Sequence, residues 1–478
     1  MQAPMPLLNE PPDGRVRMFD SPDHVLDEEA AARLAALVKD ADLAAPPVAL
    51  PDFHQERNME APCSIAVATR EFIRPTLSNA AVNCGMALIA LDVEQPSEPA
   101  IASFYARIRE TMPAGGGPAT KLSSREVIDA CIAGSHFATD RFGLDPAELV
   151  RVEEGGRLDL DRYGGADKLR RELPALIVQL ARLRFGTVGP SNHFIELQRV
   201  EEILEPGTAG LLGVRPGQVT LQFHAGGGVL TGLVGRLFGR RTDYPGKHRA
   251  IMSLAKPAYH LVSSRSRSDL RSRRALYFSG SCPPIARHSS EGDRYMLANA
   301  AAMNYGFAFR LAVYARLRAI AEESFGASSK LIVDSPHDTL YEEEIAGAQA
   351  IVHRYKVARS YPPSMMSGRG LLEQTGQPVL VPGTNRTSSY LAVGAEGAGQ
   401  SLYSTSHGTG SIIDDFVSRG LSAADPHRRA TLRFGYEGNG PVPVPQLDDR
   451  GVDEAMSILA GHGIIRPIAR LRPFAVLT

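Results

Sequence analysis

Residues 218–228 read QVTLQFHAGGG. Apolar and polar side chains alternate through QVTLQF, the two-residue period of a strand. The strand runs straight into His224, and three glycines follow. Residues 330–334, KLIVD, repeat the arrangement, a short strand running into His337. GMALIALD (85–92) reads as a buried strand that starts directly after Cys84. Imidazole and thiol groups thus sit at strand ends, where loops gather functional groups.

Between these strands lie helical patterns. DEEAAARLAALVKD (27–40) is acidic at its start and basic at its end, with apolar residues at helical spacing. RRELPALIVQLARLR (170–184) is helical but interrupted by Pro174, and residues 296–320 carry the longest helical pattern. PVLVP (378–382) and SYLAVG (389–394) are short strands. Helices and strands do not strictly alternate, and neither an internal repeat nor a heptad is present, so the fold class is α+β. The expected organisation is a lead segment, 1–44, with one surface helix, followed by a single domain, 45–478. SSRSRSDLRSRR (263–274) reads as an insertion, either a solvated mobile segment or a phosphate-contacting arm.

The 478 residues carry 52 Lys and Arg against 53 Asp and Glu, so the chain as a whole is no polyelectrolyte binder. Nucleic-acid contact would need a local basic patch. The four cysteines (Cys63, Cys84, Cys131, Cys282) are scattered without a CxxC pair, which argues against a disulfide framework and for a reducing compartment. Residues 1–20 lack the pattern of a signal peptide. Apolar runs fall short of the roughly 18 residues that a membrane helix needs. The expected location is the cytoplasm.

Four stretches present metal-type ligands in turns that look exposed: NCGM (Cys84), GPSNHFIE (His193), LQFHAGGG (His224) and VDSPHD (His337). Imidazole and thiolate together suit Mn, Fe, Co or Zn. Each alone has a plainer reading: Cys84 as core, His224 as a strand terminator, His337 with Asp338 as a turn. His193 and Glu196 are three apart, so a helical turn would put both on one side. His407 differs, lying in YSTSHGTGS (403–411) among small residues with nothing local to bury it. Backbone N–H groups and hydroxyls there suit an anion, and the imidazole could serve as acid, base or nucleophile.

Taken in order, LPDFH (50–54), NCGMALIALD, GTVGPSNHFIELQ, NYGFAFR, DSPHD, VHRYKVARSYPP, GQPVLVPGT, YSTSHGTG and ARLRPFAVL resemble the RtcB family of RNA-splicing ligases. The resemblance implies two packed β-sheets flanked by helices, with a deep metal-binding cleft. It implies a Mn²⁺- and GTP-dependent ligase that joins RNA 3′-phosphate or 2′,3′-cyclic phosphate ends to 5′-hydroxyl ends. His407 would be the nucleophile and carry the guanylate. Cys84 would bridge two metals, His224 and His337 would complete one site, and His193 would belong to the other. Asn192 would contact the triphosphate and Glu196 the guanine. Asp338, Thr384, Arg354 and Lys356 would also bind nucleotide. Arg354, Lys356 and Arg359 would form a basic strip beside the site. The partners implied are RNA ends from tRNA or rRNA, with room for a protein activator.

The chain also departs from that pattern. Ala81 stands where the family carries an aspartate ligand of the second metal. Asp338 stands where it carries asparagine, Ser411 where it carries arginine, and Thr478 where it carries the guanine-contacting lysine. One metal site is then complete and the second lacks a charged ligand. Asp338 is expected to replace that ligand in part. Three readings follow: a working ligase, a metal-dependent phosphoesterase, or a non-ligating protein that binds RNA ends.

Overall fold

A computed structural model describes residues 16–56, 59–78, 81–113, 121–189, 193–239, 246–279 and 282–478. Its largest sheet has nine strands, seven of them in the spatial order Pro378–Val381, Ser389–Gly394, Ile465–Leu477, Phe194–Ile203, Val219–Ala225, Gly85–Leu91 and Ser329–Pro336. A second sheet of five strands includes Ile65–Thr69, Ala348–Tyr355 and Asp338–Ile345. A short pair, Val357–Arg359 with Ser404–Ser406, lies between elements of the two. The strand expected from QVTLQF runs on through His224 to Ala225.

Alternation along the central strands separates two cores. Ile89, Leu221 and Phe223 face the helices, whereas Leu88, Leu391 and Leu471 belong to a cluster on the opposite face. A third cluster joins the sheets, with Val352 and Ala350 from the smaller one and Val379, Tyr390 and Ile465 from the larger. The sheets therefore pack through side chains, and the helices cover the other face, as an α+β layer architecture requires.

The helical expectations hold with sharper boundaries. Asp27 caps Glu28–Val38 by accepting from the N–H groups of Glu29 and Ala30. Pro174 separates Gly165–Glu172 from Ala175–Ala181. The longest helix is Ser290–Phe325, and its middle is buried all round. Most of the arginine-rich stretch is helical, and Arg265, Arg267, Arg271 and Arg274 are exposed as a solvated segment requires. Ser266 caps a helix, Arg267–Phe278, and Arg273 turns inward onto Glu291 at 2.7 Å. Burial of that guanidinium demands the carboxylate opposite it. All four cysteines are buried, and none of them forms a disulfide. No described helix is long and apolar enough to cross a membrane.

Arg310, from the long helix, is wholly buried against the larger sheet. It clamps Asp334 with two charge-assisted bonds, 2.8 and 2.6 Å. The same guanidinium donates to the carbonyl and side-chain oxygens of Asn83. Asn83 adopts a left-handed conformation (φ 58°), and its N–H donates to the Asp338 carbonyl at 2.8 Å. Gly306 allows this approach, because a side chain there would lie 2.9 Å from the Asn83 Cβ. The turn that presents Cys84 is thus pinned from the helix.

Removal of one partner from a buried pair leaves an uncompensated charge, at a cost of about 3–5 kcal/mol. Arg310→Met should lower unfolding stability by that order in a urea titration, and adding Asp334→Leu should recover part of the loss. His353 gives a pH prediction. Burial lowers its ring to about 4, with Nδ1 directed at the Val67 carbonyl and Nε2 accepting from the Arg74 N–H. Between the ordinary imidazole value and that depressed one, only the unfolded chain takes up the proton. Stability should fall by roughly 2 kcal/mol from this residue as pH drops from about 6.5 to 5. Denaturant midpoints of His353→Gln should show a shallower acid dependence than those of the parent.

Candidate active site

The strand ends converge. Cys84 directly precedes Gly85–Leu91, His193 directly precedes Phe194–Ile203, and His224 lies near the end of Val219–Ala225. His337 is the single residue between Ser329–Pro336 of the larger sheet and Asp338–Ile345 of the smaller one. Pairing of Met86 with His224, and of Phe194 with His224, sets the register that brings them together.

Cys84 Sγ lies 3.2 Å from His224 Nε2 and 3.6 Å from His193 Nε2. His224 Nε2 lies 3.0 Å from His337 Nε2. Cys84, His224 and His337 form one group of ligand atoms, all within 4.8 Å of one another. The expected exposed turns are in fact buried: Cys84, His224 and His337 are 5%, 2% and 3% exposed. Strand ends that meet beneath a second sheet are covered by it, which short-range reading of each turn does not reveal. His337 is held well below the ordinary imidazole range, by burial first and then by Lys356 and Arg310. Burial likewise lowers His193. Neutral imidazoles and a thiol with converging Nε2 and Sγ atoms fit a borderline divalent ion. Gly226 supports the fit, since a side chain there would stand 3.4 Å from Cys84 Sγ and 3.6 Å from His193 Nε2.

Asp338 does not join that group. Its Oδ1 accepts the Lys356 N–H at 2.9 Å, and its Oδ2 stands 3.4 Å from His337 Nδ1, on the side of the ring away from the other ligands. The carboxylate therefore stands behind the ring of His337, a candidate ligand, and outside the Cys84 group. Ala81 has a methyl side chain, which cannot bind a metal, and its carbonyl accepts the Cys84 N–H at 3.0 Å. Among the described residues, no carboxylate belongs to the Cys84 group.

His407 follows Ser404–Ser406 and precedes the helix Gly410–Ser418. It is not the bare imidazole that its neighbours suggest. Its ring packs over His337 with centroids 3.9 Å apart. Its Nδ1 lies 2.8 Å from the Lys356 carbonyl. A carbonyl only accepts, so Nδ1 carries the proton and Nε2 keeps its lone pair. Burial, and then His337, hold the ring well below its ordinary range. Asp52 opposes that effect. Lys356 sits between two strands with φ 53°, so its N–H and C=O reach Asp338 and His407 respectively.

The basic strip is corrected in two of its three members. Arg354 is fully buried and grips Glu343 with two bonds, 2.6 and 2.7 Å, and also donates to Ser404 Oγ. Arg359 is buried against Glu154 at 2.6 Å and stacks over Tyr361. Both guanidiniums are committed to internal carboxylates, because neither is buried without them. Of the three, Lys356 reaches the site through its backbone, while its ammonium contacts Glu56.

Glu196 is also not on a helical turn. It lies within the strand Phe194–Ile203, paired with Gln222 and Val476. It accepts from Gln198 Nε2 at 2.8 Å, and burial pushes its carboxyl up to about 8. Gln198 also donates to Gln222 and Ser389, which makes a buried polar row on the face that bears His224. Thr384 accepts the Arg386 N–H in the loop before Ser389. Asn192 lies outside the described residues. Ser411 donates through N–H and Oγ to Asp52 Oδ1, at 2.9 and 2.5 Å. Asp52, within LPDFH, thus anchors the helix after His407, and only its membership of that motif marked it beforehand.

The model of the family described as tRNA-splicing ligase RtcB matches residues 33–478. The chain belongs to the RtcB family. The tRNA-splicing ligase RtcB of Pyrococcus horikoshii is 29% identical over 82% of the chain and 44% of its own length. The RNA-splicing ligase RtcB of Mycobacterium bovis is 28% identical over 82% of the chain and 87% of its length. The tRNA-splicing ligase RtcB of Thermococcus kodakarensis is 26% identical over 90% of the chain and 86% of its own length. The chain spans 44%, 42% and 39% of the three Pyrococcus relatives.

Loss of a group that backs a histidine ligand weakens metal binding by about 10–100-fold. Asp338→Asn should therefore keep the metal stoichiometry of the parent in equilibrium dialysis with Mn²⁺, with affinity lowered by roughly tenfold. A lost equivalent would instead make Asp338 a ligand.

Proposed function

We propose that this RtcB-family chain is an RNA ligase acting in tRNA splicing or RNA repair, with GTP and Mn²⁺, and that His407 is its nucleophile. It joins a 3′-phosphate or 2′,3′-cyclic phosphate end to a 5′-hydroxyl end. The observation that carries this reading is the packing of a neutral His407, its Nε2 lone pair preserved, directly over His337 of the Cys84 group. A pure binding protein has no use for that arrangement. The names of the relatives, RNA-splicing and tRNA-splicing ligases, support the substrate class.

Cys84, His224 and His337 would hold one divalent ion, and His193 would face a second. A bound ion there neutralises phosphate charge and polarises the phosphoryl oxygen. His407 Nε2 attacks the α-phosphorus of GTP, so that an N–P bond forms, the α–β anhydride bond breaks and pyrophosphate leaves. The Lys356 carbonyl keeps the Nδ1 proton and stabilises the positive charge that develops on the ring. The RNA 3′-phosphate then takes the guanylate from His407, and the 5′-hydroxyl displaces GMP. Glu196, Thr384 and Lys356 are assigned to the nucleotide. Arg354 is left out, because its guanidinium is consumed by Glu343.

One observation favours a second reading. Ala81 leaves the Cys84 group without a carboxylate among the described residues, which suits a one-metal phosphoesterase or a non-ligating RNA-end binder. Incubation with Mn²⁺ and α-labelled GTP, followed by denaturation, separates the two. Label that stays on the protein and disappears in His407→Ala is expected. An unlabelled parent protein would overturn the ligase reading and leave the second one.

A further inference from the structure

Lys356 connects the site to another polar cluster. Its ammonium contacts Glu56 Oε1. Around it, His54, Glu56 and Cys63 bring an imidazole nitrogen, a carboxylate oxygen and a thiol sulfur within 4.8 Å of one another. None of the three belongs to the Cys84 group. In sequence they read H-x-E followed by Cys63, and the Cys63 N–H donates to the His54 carbonyl at 2.9 Å.

The loop directs its imidazole. His54 Nδ1 lies 2.8 Å from the Asp52 carbonyl, so Nδ1 carries the proton and Nε2 offers a lone pair. That Nε2 lies 4.0 Å from Glu56 Oε1. A histidine tied through one nitrogen to a backbone carbonyl, with the other turned toward a carboxylate, has the second-nitrogen support usual in metal ligands. The side chains of His54 and Glu56 are each about a third exposed (35% and 36%), so an ion reaches them from solvent. Cys63 is fully buried and closes the inner side.

We propose that His54, Glu56 and Cys63 form an additional metal site, apart from the ions that the Cys84 group and His193 would hold, for a soft or borderline divalent cation of the zinc class, whose place the Lys356 ammonium fills when the site is empty. Three protein ligands leave a fourth position open for water. On binding, the Cys63 S–H bond breaks, a sulfur–metal bond forms and the proton passes to solvent. The Lys356 side chain swings away from Glu56. Because the Lys356 backbone holds both His407 and Asp338, occupancy of this additional site is coupled to the Cys84 group.

Cobalt(II) titration of the full-length, chelator-stripped protein tests this without GTP or RNA. In Cys84→Ser, one thiolate-to-cobalt charge-transfer band should remain, and adding Cys63→Ser should abolish it. His54→Gln, which keeps the thiol, should weaken that band's apparent Kd about tenfold or more. Lys356→Ala should tighten it several-fold by removing the competing cation. Absence of the band from Cys84→Ser, or its survival in the double variant, would overturn the site. An unchanged Kd in Lys356→Ala would overturn the stand-in role of the ammonium. Thermal unfolding of each variant checks that the fold persists.

Discussion

The buried clamp of Arg310 on Asp334 and Asn83 is the constraint on which the rest of the site depends. A wholly buried guanidinium is tolerated only when its charge and its donors are matched. Here the match comes from a strand carboxylate and from a turn that is itself in a left-handed conformation. Three things are fixed at once: the seat of the long helix, the edge strand Ser329–Pro336 and the turn before Cys84. Gly306 on the helix and Asn83 on the turn are two halves of one close approach.

From that anchor the site is assembled by junctions, not by a single element. His337 stands where the chain passes from one sheet to the other, Lys356 where it passes from the second sheet to the short pair, and His407 just beyond that pair. Burial keeps His337 and His407 neutral, which leaves their lone pairs available at neutral pH. Lys356 contributes through its backbone as much as its charge. Its left-handed conformation lets one residue serve both Asp338 and His407.

Much of this was legible in the sequence. Periodicity located the strands around QVTLQF and KLIVD, and the histidines at their ends do meet. Pro174 broke its helix where a missing N–H requires it. What failed shares one cause. Arg354 and Arg359 read as a basic strip, yet Glu343 reaches the first from the neighbouring hairpin strand and Glu154 reaches the second from far along the chain. Arg273 read as solvated, yet Glu291 receives it. Partners separated along the chain are set by tertiary packing, which local charge patterns do not encode. Glu196 was read beside His193 for a different reason, because a spacing of three puts two residues on one side of a helical turn, whereas along a strand an odd spacing puts them on opposite faces. Asp52 gave no local sign of its role, since the N–H it accepts belongs to Ser411, far along the chain.

The single-residue corner at His337 has a consequence for how such a chain can vary. Strands on either side of it belong to different sheets, and side chains alternate faces along each. One inserted or deleted residue at the corner would turn every side chain of one neighbouring strand to its opposite face. The apolar rows of the cores and the ligand row would then part company. Length at this corner is therefore more tightly constrained than identity, and drift in the family can reach Ala81, Ser411 or Thr478 without shifting the frame in which His337 meets His224.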